Sequence, residues 1–396
     1  LCAISSDLPV LIAGRAFQGA AVAVIPLGIS ILRDELPPVR VIPSIAIMSS
    51  TLGVGAAFGI PAATLVVQYA NWHAMFWICL GIGLLDILVV LLVVPESKVR
   101  TSGRFDVLGA LGLSAFLVCL LLAVSKGSAW GWASPATLGL FAAAFVLIAP
   151  LWVLFELRTS APLVDLRVSA RPAVLFTNLA ALLIGFAFYA NSLTTAQLVQ
   201  EPVSTGYGLG ASIVVSGLCL LPGGVAMVLL SPVSARISSA RGPRFTLAIA
   251  SVLMATGYVV RLFTSENLAA IVAGATVVAA GTAVAYSALP ALIMHAVPVT
   301  ETAAANGLNT LMRTIGQAVC SAIVATMLAN VVATRAGHTA PTLGAYLILF
   351  AIAGLAALAA AGLTLLIPAR RPTPVRTPEP AAAGQTSEPA EAGRTP

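Results

Sequence analysis

Residues 8–32, LPVLIAGRAFQGAAVAVIPLGISIL, decide the class of this protein. The run is nearly unbroken in apolar character and longer than the roughly 20 residues a helix needs to cross a bilayer core. It carries one full charge, Arg15, with Gln18 one helical turn further on. A charge inside the membrane costs at least about 2.5–3.5 kcal/mol on insertion scales. Arg15 therefore has to face protein, water or an acid, and that requirement makes it a candidate functional residue.

The rest of the chain has the same character. Of its 396 residues, 59% are hydrophobic and 9% charged, and the mean hydropathy is +1.02. A soluble domain carries about 25% charged residues, so the sequence predicts an all-α integral membrane protein. Helices in lipid also tolerate its 25 prolines and 33 glycines. The long apolar runs do not fit the alternating ten-residue strands of a barrel. The net charge of +6 lies in short loops rather than in one patch, which excludes nucleic acid as a partner. The five cysteines show no metal-ligand spacing and read as small core residues. No nucleophile–base pair and no phosphate-binding loop stands out, so an enzyme is not expected and no cofactor is called for. The chain opens on Leu1 without the marks of a signal peptide and reads as one entered partway through.

Eleven spans are predicted, at about 8–32, 41–69, 72–95, 106–125, 134–156, 172–197, 208–230, 243–263, 266–292, 302–332 and 343–368. Alternating the loops across the membrane puts fifteen basic residues on one side, among them Arg33, Arg40, Arg104, Arg158, Arg236 and Arg370. The other side receives Lys126, Arg261 and Arg335. Basic loops face the cytoplasm, so the C-terminus is expected inside and the protein multi-pass in the cell membrane. Trp72, Trp130 and Trp132 sit at outer ends, where they would anchor the interface. The spans divide into 1–95 with three, 96–171 with two and 172–368 with six. Residues 369–396, rich in Pro, Ala, Glu and Thr, read as a disordered cytoplasmic tail.

Several stretches carry a family resemblance. LIAGRAFQGAA at 11–21 resembles the fourth-helix motif of the major facilitator superfamily. TLGVGAAFGIPAATL at 51–65 resembles its fifth-helix antiporter motif, and NWHAMFWI at 71–78 the opening of its sixth helix. GLGASIVVSGLCLLPGG at 208–224 and AAANGLNTLMRTIGQAV at 303–319 look like its fourteen-helix drug:proton antiporter branch. The pattern then implies a two-bundle transporter lacking its first three helices. There are departures: Ile60 intervenes between Gly59 and Pro61, Ala63 and Thr64 replace a glycine pair, and the 231–244 loop has Ser239 where its relay aspartate belongs.

The candidate residues each admit a plainer reading. The resemblance gives Arg15 a part in proton coupling with a first-helix carboxylate; a static pair that fixes packing is the alternative. Gln18 shares its face and could orient it or touch substrate. Asp86, mid-span, suits a proton carrier and equally a locally satisfied aspartate. Asn306, Asn309, Thr310, Arg313 and Gln317 fall on one helical face, either a cavity wall or an interhelical hydrogen-bond seam. On 172–197, Tyr189 and Asn191 suit an amphipathic ligand or ordinary packing, as does Phe186. Gly55 and Gly59 read as a small-x-x-x-small pair allowing close helix approach, with Pro61 kinking the antiporter-motif helix.

What the resemblance implies is export of small amphipathic compounds such as drugs or antibiotics, driven by the proton gradient through alternating access. The expected partners are that small molecule, protons and the lipid bilayer. Transport of one specific metabolite, and an inactive remnant or non-transporting membrane scaffold, are the rival readings.

Overall fold

A computed structural model describes residues 1–94, 106–160, 162–263, 267–298, 301–335 and 338–368. The long helices are α1 (Leu8–Glu35), α2 (38–69), α3 (Trp72–Val93), α4 (Val107–Trp130), α5 (Pro135–Arg158) and α6 (Pro172–Gln200). They continue as α7 (Ile213–Arg241), α8 (Pro243–Phe263), α9 (Leu268–Ala296), α10 (Thr302–Asn330) and α11 (Leu343–Leu366). All but α2 are long and apolar enough, unbroken, to cross a membrane. The chain is a multi-pass helical membrane protein, as its composition demands.

Local chemistry sets where these helices start. Asn71, Asp106, Ser134, Ser212, Asn267 and Thr342 each accept a hydrogen bond from a backbone N–H in the first turn they precede. Such caps satisfy donors that have no partner within the helix. Proline sets two interior irregularities. In α2 a π turn, Gly55–Gly59, stands just before Pro61, and in α5 another, Ala143–Ile148, stands just before Pro150. Proline lacks an N–H and its ring collides with the carbonyl four residues back. A widened turn relieves both problems.

The principal core lies in α6–α11. Ala180, Ile184 and Ala187 of α6 pack with Leu247, Met254 and Tyr258 of α8, Val278 and Leu289 of α9, and Phe350 and Ala353 of α11. Glycine permits the approach: a Cβ at Gly316 of α10 would strike the Leu182 carbonyl, and one at Gly281 would lie 2.5 Å from Met254 Cγ. Against this bundle α2 packs on α7 and α9, and the second half of α1 on α10. The α4–α5 hairpin is held by the Trp152 indole donating to the Gly109 carbonyl at 2.8 Å, and it reaches the bundle through α4.

Four local expectations need correction. Residues 231–241, read as the start of a cytoplasmic loop, continue α7 to Arg241; Gly242, at φ 86°, makes the break. Buried Ser231, Ser234 and Ser238 give this polar segment a protein-facing side that hydropathy does not register. Lys126–Trp130, read as an outer loop, is the last turn of α4. The α10–α11 connection contains an antiparallel hairpin, β1 (Val332–Arg335) with β2 (His338–Pro341), which the sequence reading lacked. Arg261, assigned to an outer loop, is buried within the bundle at 1% exposure. The predicted loop 96–105 and the tail 369–396 lie outside the described residues.

Candidate functional site

Two places bring candidate polar side chains together, one among the N-terminal helices and one at their seam with the bundle. The first is around Arg15. Its guanidinium donates to Gln18 Oε1 at 3.3 Å and lies over the Phe76 ring of α3, 5.0 Å from its centroid. Arg15 and Gln18 are exposed, and among the described residues no carboxylate forms an ion pair with Arg15. Asp86 does not join this group. It sits ten residues beyond Phe76 on α3, about 15 Å along the axis at 1.5 Å per residue, on a fully exposed stretch.

The second place is a narrow cleft between α2 and the bundle. It is lined by Ile60 of α2, Phe188, Asn191 and Ser192 of α6, Gly223 and Met227 of α7, and Ala275 and Ala279 of α9. The walls are apolar, with one amide and one hydroxyl. Behind Phe188 lies the ring of Tyr286, their centroids 5.7 Å apart. The Arg313 guanidinium lies over the Tyr286 ring, 4.4 Å from its centroid, and Gln317 faces the same phenol. A desolvated guanidinium over an aromatic ring is worth about 2 kcal/mol, so the stack holds a cation one ring away from the cleft wall.

Two sides of the seam are tied separately. At one end Arg33 donates to the Thr302 hydroxyl, joining α1 to α10; Asn306 donates to the Thr302 carbonyl at 3.0 Å. At the other end Gln68 Oε1 of α2 accepts from the Val214 N–H of α7 at 3.2 Å. Between them a Cβ at Gly53 would lie 2.5 Å from Met227 Cβ, so Gly53 is the point of close approach. Gly55 and Gly59, expected in that role, have no other element within 4 Å of a built Cβ. They belong instead to the π turn that precedes Pro61, which is itself buried.

The remaining expected residues fall inside the bundle. Asn309 donates to Asn178 Oδ1 at 2.9 Å and ties α10 to α6. Thr310 is buried, and its carbonyl accepts from the Thr314 hydroxyl. Asn191 donates to the Ala275 carbonyl at 3.1 Å and accepts from Arg261. Tyr189 is half-buried against the core, and Phe186 is buried in it. Arg261 also lies over the Phe350 ring, 4.1 Å from the centroid. Sequence reasoning missed Arg261, Tyr286 and Phe188. Arg261 stands two residues before the end of a span, where hydropathy cannot separate a buried cation from a loop cation. Tyr286 had a usable signal, a lone phenol among small residues in AVAYSALP.

A helical membrane protein with a cleft at the seam between two groups of spans is the architecture of a membrane carrier family. The chain belongs to the Major Facilitator Superfamily, whose family model matches residues 1–321. It is 30% identical over 254 residues to the tetracenomycin C resistance and export protein of Streptomyces glaucescens, covering 64% of this chain and 46% of that one. It is 26% identical over 331 residues to multidrug resistance protein Stp of Mycobacterium tuberculosis, covering 83% and 60%. It is also 26% identical over 334 residues to multidrug export protein EmrB of Escherichia coli, covering 83% and 64%. The chain thus spans between 46% and 64% of the length of these relatives.

Proposed function

We propose that the protein to which this chain belongs exports small amphipathic compounds across the cytoplasmic membrane, with its C-terminus inside, by exchange with protons. The observation that carries this reading is the cleft between Ile60 and the Phe188–Asn191 face of α6. The cleft is closed in this state, with about 20 Å³ of free volume, so its apolar walls and the Asn191 amide would receive an amphipathic ligand only once α2 moves away from the bundle. The site lies between groups of helices that pack closely at Gly53 and are joined by side-chain hydrogen bonds at the two ends, Arg33 to Thr302 and Gln68 to Val214. Alternating access needs such fastenings to break one end at a time, so that each state opens to one side. The named activities of the relatives agree with this reading. Arg15 and Asp86 are the proposed proton-coupling groups, and Gln18, Tyr189, Asn191, Asn306, Thr310, Arg313 and Gln317 the proposed substrate-handling ones.

Everted vesicles containing the intact protein, loaded by an imposed pH gradient, test the proposal with ethidium as probe. Accumulation that a protonophore abolishes is expected. Flux indifferent to the gradient would overturn the coupling, and net movement in the uptake direction would overturn export. Asp86→Asn with undiminished pH-driven flux would remove that residue from the mechanism.

A further inference from the structure

A second cavity lies at the far end of the bundle from Arg244, which caps the last carbonyls of α11 at Thr364 and Leu365. It is an open pocket of about 440 Å³ between the turn that follows α6 and the strands β1 and β2 with the residues after them. That volume is within the range of small-molecule sites, about 300–1,000 Å³. Glu201 and Tyr207 supply its polar wall, and Pro202, Ala333, Ala340 and Leu343 much of its apolar one. Among the described lining residues none is basic.

The wall is held in place from behind. The Tyr346 hydroxyl donates to Glu201 Oε1 at 2.9 Å, which orients the carboxylate. The Gly210 N–H donates to the Glu201 carbonyl at 2.7 Å, and a Cβ at Gly208 would strike that same carbonyl, so the turn closes tightly on Glu201. Tyr207 gives its hydroxyl proton to the Pro341 carbonyl, tying the turn to β2. Its ring stands 6.0 Å from that of Tyr346. Burial, and then the neighbouring Glu201 charge, push the Tyr207 phenol up to about 12. Among the described residues no basic side chain pairs with the Glu201 carboxylate.

We propose that this cavity binds a small organic ammonium ion, with Glu201 as counter-charge and the Tyr207 ring as the surface against which the ammonium group lies. A carboxylate fixed by one hydrogen bond keeps a second oxygen for a ligand. An aromatic face beside it attracts a cation that is too weakly hydrated to remain in water. A neutral ligand of the same shape gains the apolar contacts and loses both electrostatic ones. The site is separate from the central cleft and does not rest on the transport reading.

Equilibrium binding to the purified full chain in lipid nanodiscs tests this, with benzyltrimethylammonium as probe and neopentylbenzene as its neutral isostere. The cation is expected to bind at least about tenfold more tightly than the isostere, the scale of a desolvated cation–aromatic contact with a counter-charge. Glu201→Gln, which keeps an oxygen for the Tyr346 hydroxyl, is expected to remove that advantage. Glu201→Asp keeps the charge and should retain most of the advantage, and Tyr207→Phe keeps the ring and should retain it too. Equal binding of cation and isostere to the unaltered chain would overturn the proposal. So would an unchanged preference in Glu201→Gln, or an equal loss in Glu201→Asp and Glu201→Gln.

Discussion

Helices α3 and α6 are both strongly apolar, yet only 6% of the most apolar window of α3 is buried within the chain against 56% for α6. Lipid and protein interior are equally hospitable to leucine, so hydropathy cannot distinguish them. What separates the two is small and polar content. Helix α3 reads GIGLLDILVVLLV over 81–93, with bulky side chains pointing outward all round. Helix α6 interleaves Asn178, Gly185, Asn191, Thr194 and Thr195, and each of these is buried. In α6 polar groups and glycine mark where helices meet, whereas Gly81, Gly83 and Asp86 of α3 are exposed among bulky side chains, so it is their density along one face and not their presence that marks a contact.

Glycine offers the sharpest way to break this comparison. Gly316→Leu drives a side chain into the backbone of α6 at Leu182 and is expected to abolish the folded protein, since overpacking by one methylene already costs about 1–3 kcal/mol. A Cβ at Gly81 would meet nothing within 4 Å, and Gly81→Leu should leave the melting temperature in detergent unchanged. Similar losses from both would sink the distinction. The two arginines with aromatic partners extend the contrast. Arg261→Met removes a buried cation from Asn191 and the Phe350 ring, and should lower stability by about 2 kcal/mol in thermal unfolding. Arg15→Met, at an exposed position, should leave unfolding unaltered while abolishing pH-driven flux.

Smaller effects sharpen it further. A double-mutant cycle on Asn178→Ala and Asn309→Ala should return a coupling near the membrane-protein average of about 0.6 kcal/mol. A coupling of zero would mean the pair contributes no interaction between α6 and α10. At the hairpin end, Tyr207 is neutral in the folded protein up to about 12, against about 10 when unfolded. Its contribution to stability is therefore complete below about pH 10 and is lost as pH rises from there towards 12. Absorbance titration at alkaline pH should separate the unaltered chain from Tyr207→Phe only near the top of that range.

The fold was largely legible because long apolar runs leave a chain few alternatives. Residues 8–32 already required a membrane, and every span that followed corresponds to a helical run. Boundaries were less so: α7 continues through Ser231, Ser234 and Ser238 because these hydroxyls find partners such as Ser287 and Thr246 across the bundle. Pairing of that kind is set by tertiary contact and leaves no period in the sequence. The same limit hid the site. The stripe at Asn306, Asn309, Thr310 and Arg313 was visible from its spacing, but its orientation towards α6 and Tyr286 depends on helix rotation. Gly53 was passed over for Gly55 and Gly59 because motif spacing does not reveal which glycine touches a neighbour.

The π turn at Gly55–Gly59 has an implication for how α2 tolerates change in length. A π turn holds one residue more than an α turn, so losing one residue within 55–59 would shorten the turn and preserve the azimuth of everything after it. Thr64 and Gln68 would still face Gly217 and Val214 of α7. Losing Ala63 instead would swing both through about 100° about the helix axis. Helix α2 thus contains its own length compensator, set just ahead of Pro61.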